Sequence, residues 1–316
     1  MAFVSMKWGG CRGVTLVELL TTLVIAGLTG VMILPVCLAF QGNGLAEMGR
    51  NDLHDRAERL LRFLTNDIRE AAFQCGPQPR QADGNALTLV HDSLAGDPLE
   101  TLPFALSPEN GGSTEHDALT MVKAISFIPP LTTWLAADCD TTELTLSRAP
   151  NQQPASSREI KPAPEAISHL TLANHSLCYP VVTSDQTLHL EFPLAMAVPV
   201  GTEVLGIRAF RYLVEDHGGT GRLRRDDFTS QEILDDAVDG LQFEYLLADG
   251  RLVDDPTQSG EIRGVRISLL VRALRPEPNH RDNLCYQLAD RSYGPFNDNF
   301  RRVLVSQVAE VRNNGL

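Results

Sequence analysis

Hydrophobic positions change their rhythm twice along the 316 residues. From Val14 to Phe40 they are almost unbroken, and Glu18 is the one charge among them. The run is longer than the ~20 residues a helix needs to cross hydrocarbon. From Leu45 the spacing becomes helical: Leu53, Ala57, Leu60, Leu61, Leu64, Ile68, Ala71 and Ala72 recur mostly three or four apart, with charged residues between them. Such a stripe should pack on a sheet, because burial supplies most of a helix's stability in a protein. Gly76 and Pro77 should end it, Gly through a left-handed cap and Pro because it cannot continue a helix. Gly42 and Gly44 mark a soft joint between the two helical stretches.

Beyond Pro77 the apolar residues alternate as in strands. Strands are expected near Leu87–Val90, Ala118–Phe127, Glu143–Ser147, Ser176–Val182, Thr187–Phe192, Val204–Val214, Leu241–Leu247, Ile262–Ala273 and Arg302–Val311. Ile167–Leu172 is ambiguous, and Ser230–Val238 reads as a short helix or turn. Turns are expected at Gly218–Gly221 and Asp249-Gly250. Polar, Pro-containing links cover His91–Pro108, Pro150–Pro164 and Pro276–Asn283. Ile262–Val271 reads as a half-buried strand with Arg263, Arg266 and Arg272 on its exposed side.

The fold expected is α+β: a long N-terminal membrane-spanning helix packed on an antiparallel, β-rich globular domain. Its divisions are a leader at 1–13, a transmembrane segment at 14–40, an amphipathic helix at 41–76 and a globular part at 77–316, which is long enough for two lobes. Lys7 and Arg12 precede the apolar run with no acid, which favours a cytoplasmic N-terminus and an external globular part.

A carboxylate at mid-bilayer costs ~3 kcal/mol on insertion scales, so Glu18 calls for a partner. The segment Gly13-Val14-Thr15-Leu16-Val17-Glu18-Leu19-Leu20 resembles the processing signal of type IV pilins and of type II secretion pseudopilins. The resemblance implies cleavage between Gly13 and Val14 by a membrane prepilin peptidase and methylation of the new Val14 amine. It also implies that Glu18 meets a neighbouring subunit's terminal amine during assembly. Val14 stands where the family usually has Phe or Met. Pro35 matches a helix-weakening proline of many pilins, and proline kinks or loosens a helix by removing an amide.

The run Phe63-Leu64-Thr65-Asn66-Asp67-Ile68-Arg69-Glu70-Ala71, followed by Cys75, is similar to one in PilW-type minor pilins. His116–Val122, Val238–Tyr245, Ile262–Arg272 and Val308–Asn313 resemble later segments of that family, in the same order. The implied function is that of a minor pilin priming type IV pilus assembly and placed at the tip. Its partners would be other minor pilins, the major pilin and the inner-membrane assembly platform. Two alternatives are a J-type pseudopilin of type II secretion, though those are usually shorter, and a tip adhesin displaying a loop such as Pro150–Pro164.

The net charge of −13, with few lysines, disfavours nucleic acid as a partner, since such binding depends on neutralising phosphates. Cys11 lies in the leader and Cys37 in the anchor. Cys75, Cys139, Cys178 and Cys285 remain for the external part, where an oxidising compartment allows up to two disulfides in three connectivities. Free buried thiols are the other reading. Asp67 and Arg69 are too close in sequence to face each other across a helix turn, so each addresses a different neighbour, a strand or another subunit, or simply a solvated face. His116-Asp117 and Glu215-Asp216-His217 suggest metal ligation only weakly. No cofactor, metal or catalytic residue is assigned.

Overall fold

The computed structural model describes residues 16–90, 99–112, 115–147, 168–183, 187–257, 259–278 and 280–312. The chain divides into two compact units, Met1–Asp52 and Leu53–Leu316. Helix α1 runs over Leu16–Glu70, through Pro35, Gly42 and Gly44 without interruption. The soft joint expected at the two glycines is therefore helical.

In the second unit Leu53, Ala57, Leu61, Leu64 and Ile68 are buried on one face of α1, as the spacing requires. The helix stops at Glu70, six residues before Gly76. Tertiary bonds explain the early end: the Ala72 amide donates to the Val122 carbonyl at 2.9 Å, and the Ala124 amide donates to Phe73 at 3.0 Å. These bonds hold Ala72 at φ +62°, a conformation costly for a residue with a Cβ. The expected helix limit at residue 76 is thus corrected, although Gly76 does take a positive φ of +73°.

Eighteen strands follow among the described residues. The first nine are β1 (Arg80–Gln81), β2 (Leu87–Val90), β3 (Leu99–Leu102), β4 (Leu106–Glu109), β5 (Ala118–Thr133), β6 (Glu143–Ser147), β7 (His169–Leu172), β8 (Leu177–Thr183) and β9 (Thr187–Leu190). The rest are β10 (Glu203–Asp216), β11 (Gly221–Asp226), β12 (Gln231–Asp235), β13 (Val238–Leu247), β14 (Leu252–Val253), β15 (Ile262–Arg272), β16 (Tyr286–Leu288), β17 (Arg291–Tyr293) and β18 (Arg302–Glu310).

Two expectations fail here. The link His91–Pro108 holds β3 and β4, and Ser230–Val238, expected as a short helix or turn, holds the edge strand β12 and the first residue of β13. In the second case Asp227 Oδ1 accepts the Thr229 and Ser230 amides at 3.1 and 2.7 Å, which reverses the chain into a β11–β12 hairpin. A run of acidic residues around Ile233 and Leu234 reads as helical only while that reversal is unseen. Ile167–Leu172 resolves as β7. The link Pro150–Pro164 lies outside the described residues.

The large sheet runs β12-β11-β10-β7-β8-β9-β6-β5-β4, and β10 also pairs with β5. Six strands (β10, β7, β8, β9, β6, β5) therefore close on themselves. Leu131, Leu172, Tyr179 and Val204 belong to the apolar cluster of this ring. The antiparallel sheet β14-β13-β15-β18 is separate. Between it, the large sheet and α1 lies the main core, with Leu64, Ile68, Tyr212, Phe243, Ile267 and Ala309. The long strands β5 and β10 serve both clusters: Leu119 and Tyr212 join the main core, and Leu131 and Val204 join the ring. A register shift at Val204/Leu205 marks the change.

Candidate assembly site

Glu18 lies near the start of the described part of α1. The Thr21 and Thr22 hydroxyls donate to the Glu18 backbone carbonyl at 3.0 and 2.9 Å. Thr29 likewise donates to Ile25 at 2.9 Å. These hydroxyls are satisfied inside the helix and make little demand on surrounding water. The Leu16–Ile33 window has a mean hydropathy of 2.1, and none of it is buried. Its length and composition suffice for one membrane crossing. An apolar surface of that extent, exposed along every face of the helix, suits lipid or other apolar helices. Gly13 and Val14 lie outside the described residues. Pro35 is inside α1, in a stretch whose side chains are not described.

The helix half in the second unit is fastened by charges as well as by its stripe. Asp67 accepts a bond from Lys123 Nζ at 2.8 Å and one from the Tyr212 hydroxyl, with Arg225 3.7 Å away. Burial and the Asp67 carboxylate push the Tyr212 phenol well above its ordinary range. Lys123 also bonds Glu70 at 2.8 Å. Arg56 forms a two-pronged pair with Asp235 at 2.6 and 2.8 Å. The sequence left Asp67 to a strand, another subunit or solvent; in the structure it meets both β5 and β10. Lys123 and Tyr212 escaped notice because nothing local marks a strand residue as facing a helix.

A second charged cluster was also missed. Arg302, whose side chain is 1% exposed, bonds Asp239 at 2.7 Å, Asp282 at 2.9 Å and Asp298 at 2.7 Å. This cluster fixes the link Pro276–Asn283 against β13 and β18. Arg272, expected to be exposed, is largely buried and stacks on Phe300 at 4.7 Å. Arg266 pairs with Glu244 at 3.1 Å. The basic strip Arg222–Arg225 is neutralised internally: Arg222 pairs with Asp236, Arg224 with Glu215 and Arg225 with Glu232.

The weak metal suggestions resolve into structural roles. Asp117 accepts the Gly111 and Phe243 amides at 3.0 and 2.8 Å, tying β5 to β13, and burial raises its carboxyl to about 6. His116 stacks on Tyr293, and burial lowers its imidazole to about 4. Asp216 accepts the Gly219 amide at 2.8 Å in the expected glycine turn. Among the described residues no group of three or more His, Cys, Asp or Glu is placed to hold a metal. His116, Arg211, Asp216, Asp239 and Arg291 line an open cleft of about 700 Å³ with mixed charge.

Cys75, Cys139, Cys178 and Cys285 are all free thiols in this structure, so none of the expected disulfides is formed in it. Cys139 and Cys285 are exposed. Cys75 and Cys178 are brought into one buried cluster.

A family model described as Type IV Pilus-assembly protein W matches residues 212–313. The match begins within β10 and takes in the whole β14-β13-β15-β18 sheet. It covers about a third of the chain and supports a pilus-related family, with a role in type IV pilus assembly. Neither the curated proteins nor the solved structures contain a match.

Proposed function

We propose that the chain is a minor pilin that primes assembly of a type IV pilus. On this reading prepilin peptidase cuts after Gly13, Val14 becomes the methylated N-terminus, and α1 holds the protein in the inner membrane. The globular unit then faces the periplasm until the protein enters the filament. The observation that carries the reading is an apolar helical stretch, Leu16–Ile33, exposed throughout and carrying Glu18, joined in one chain to a sheet matched by the pilus-assembly family. Apolar helices pack side by side, and a neighbour's terminal amine offsets the cost of the Glu18 carboxylate in hydrocarbon. The pair also sets axial register, because a helix slipped by one turn loses it.

Glu18→Ala should leave cleavage intact and lower surface piliation about tenfold, the factor that ~1.4 kcal/mol represents. Counting pili by electron microscopy, beside an immunoblot for the processed chain, checks it. Normal pilus numbers and normal recovery of partner pilins from the mutant would overturn the assembly role of Glu18. Normal pili with secreted enzymes retained in the periplasm on deletion would instead move the chain to type II secretion.

A further inference from the structure

We propose that Cys75 and Cys178 form a buried disulfide that fastens the end of α1 to the large sheet. The proposal rests on the periplasmic placement above and selects one pairing among the four external cysteines. Cys75 is 1% exposed and Cys178 is 0% exposed, and both sit in the cluster with Val122, Ala124 and Leu205. The chain around Cys75 is docked onto the strands that carry Cys178. The Gln74 side chain accepts the Asn174 amide at 3.1 Å, and the Gln74 carbonyl accepts the Thr171 hydroxyl at 3.5 Å. Strand β7, which holds Thr171, pairs with β8, which holds Cys178, through Leu170 and Tyr179. On the other edge of β8, Gln81 is the register partner of Cys178, and the Ala82 amide donates to the Cys178 carbonyl at 3.1 Å. The segment that begins at the helix end therefore wraps Cys178 from both sides. Cys139 and Cys285 are exposed and lie outside this cluster.

Burial raises both thiols, Cys178 to about 12 and Cys75 higher still, with Cys178 itself the second cause for Cys75. Thiolate is the attacking species in exchange, so the closed pocket is inert and the bond must form before the strands close over it. The oxidant is a protein bearing a reactive disulfide, of the class an oxidising compartment supplies. One cysteine thiolate attacks that disulfide, giving a mixed disulfide and releasing one oxidant thiolate. The second cysteine then attacks the first cysteine's sulfur and releases the oxidant as a dithiol. The two cysteines lose two electrons and two protons, and the oxidant gains both.

The test uses full-length protein from membranes, acid-quenched, with thiols alkylated in denaturant before any reductant, then digested for mass spectrometry. The expected result is a Cys75 peptide linked to a Cys178 peptide, two hydrogens lighter than the separate thiols, with Cys139 and Cys285 alkylated. Alkylation of Cys75 and Cys178, or linkage of either to Cys139 or Cys285, overturns the proposal. The same digest reads the N-terminus. A Val14 start with alkylated Cys75 and Cys178 removes the disulfide alone, whereas a Met1 start removes the pilus reading. Cys75→Ala and Cys178→Ala should each lower the Tm by about 10 °C, and the double variant should lower it no further. Additive losses would overturn the bond.

Discussion

Helix α1 lives two lives. Over Leu16–Ile33 every residue is exposed, and apolar side chains point in all directions. Over Leu53–Ile68 the residues Leu53, Ala57, Leu61, Leu64 and Ile68 keep to one face and are buried, while Arg59, Arg62, Phe63 and Asn66 stay wet. The contrast lies in the distribution of leucines around the axis more than in their number. A helix apolar all round needs an apolar medium, whereas a helix with one apolar stripe needs a protein surface. Each half therefore declares a different surrounding, and only the second finds its partner within its own unit.

The contrast is tested first where the effect is largest. Leu64→Ala empties a fully buried site and should cost about 3 kcal/mol, read by denaturant unfolding of the full chain in detergent. Leu23→Ala, in the exposed half, should leave that transition unmoved, and equal losses would erase the distinction. Lys123→Met removes the ammonium beside Asp67 and Glu70 and should cost about 2 kcal/mol. That is below the full cost of a stranded buried charge, because Tyr212 and Arg225 still reach Asp67.

The smallest effect is a pH dependence confined to the globular unit. Burial lowers His169 from 6.5 to about 4, with Gln81 and Ser168 on its two ring nitrogens at 3.2 and 3.1 Å. The unfolded imidazole takes a proton as pH falls through 6.5, and the folded one does so only near 4. Stability from this residue is complete above 6.5 and is lost as pH falls between those values. Acidification from pH 7 to 5.5 should cost about 1 kcal/mol through His169, and His169→Gln should remove that share of the slope while His116, also held near 4, keeps its own. An unchanged slope would place the acid sensitivity elsewhere.

Much of this was readable along the chain because its causes are local. The apolar run, the stripe from Leu53 and the alternation in β2, β6, β10 and β15 depend on side-chain period alone. Glu18 stood out for the same reason, as one charge in a window that excludes charge. The match over residues 212–313 spans three of the segments that resemble the family, Val238–Tyr245, Ile262–Arg272 and Val308–Asn313. Boundaries were less readable. Glu70 ends α1 because Val122 and Ala124, some fifty residues away, capture the next amide and carbonyl. Strand β12 exists because Asp227 closes a turn on Ser230.

The sequence by itself determined that this protein has an apolar helix with an acid near its start, an amphipathic continuation and a β-rich remainder. Those features follow from periodicity, which acts between near neighbours. Only the tertiary structure decided that β5 and β10 close a six-stranded ring, that Lys123 and Tyr212 secure Asp67, and that Arg302 gathers three carboxylates. It alone brought Cys75 and Cys178 into one buried cluster. Each of these joins residues far apart in the chain, and such pairings are fixed by the order in which strands meet across the sheets.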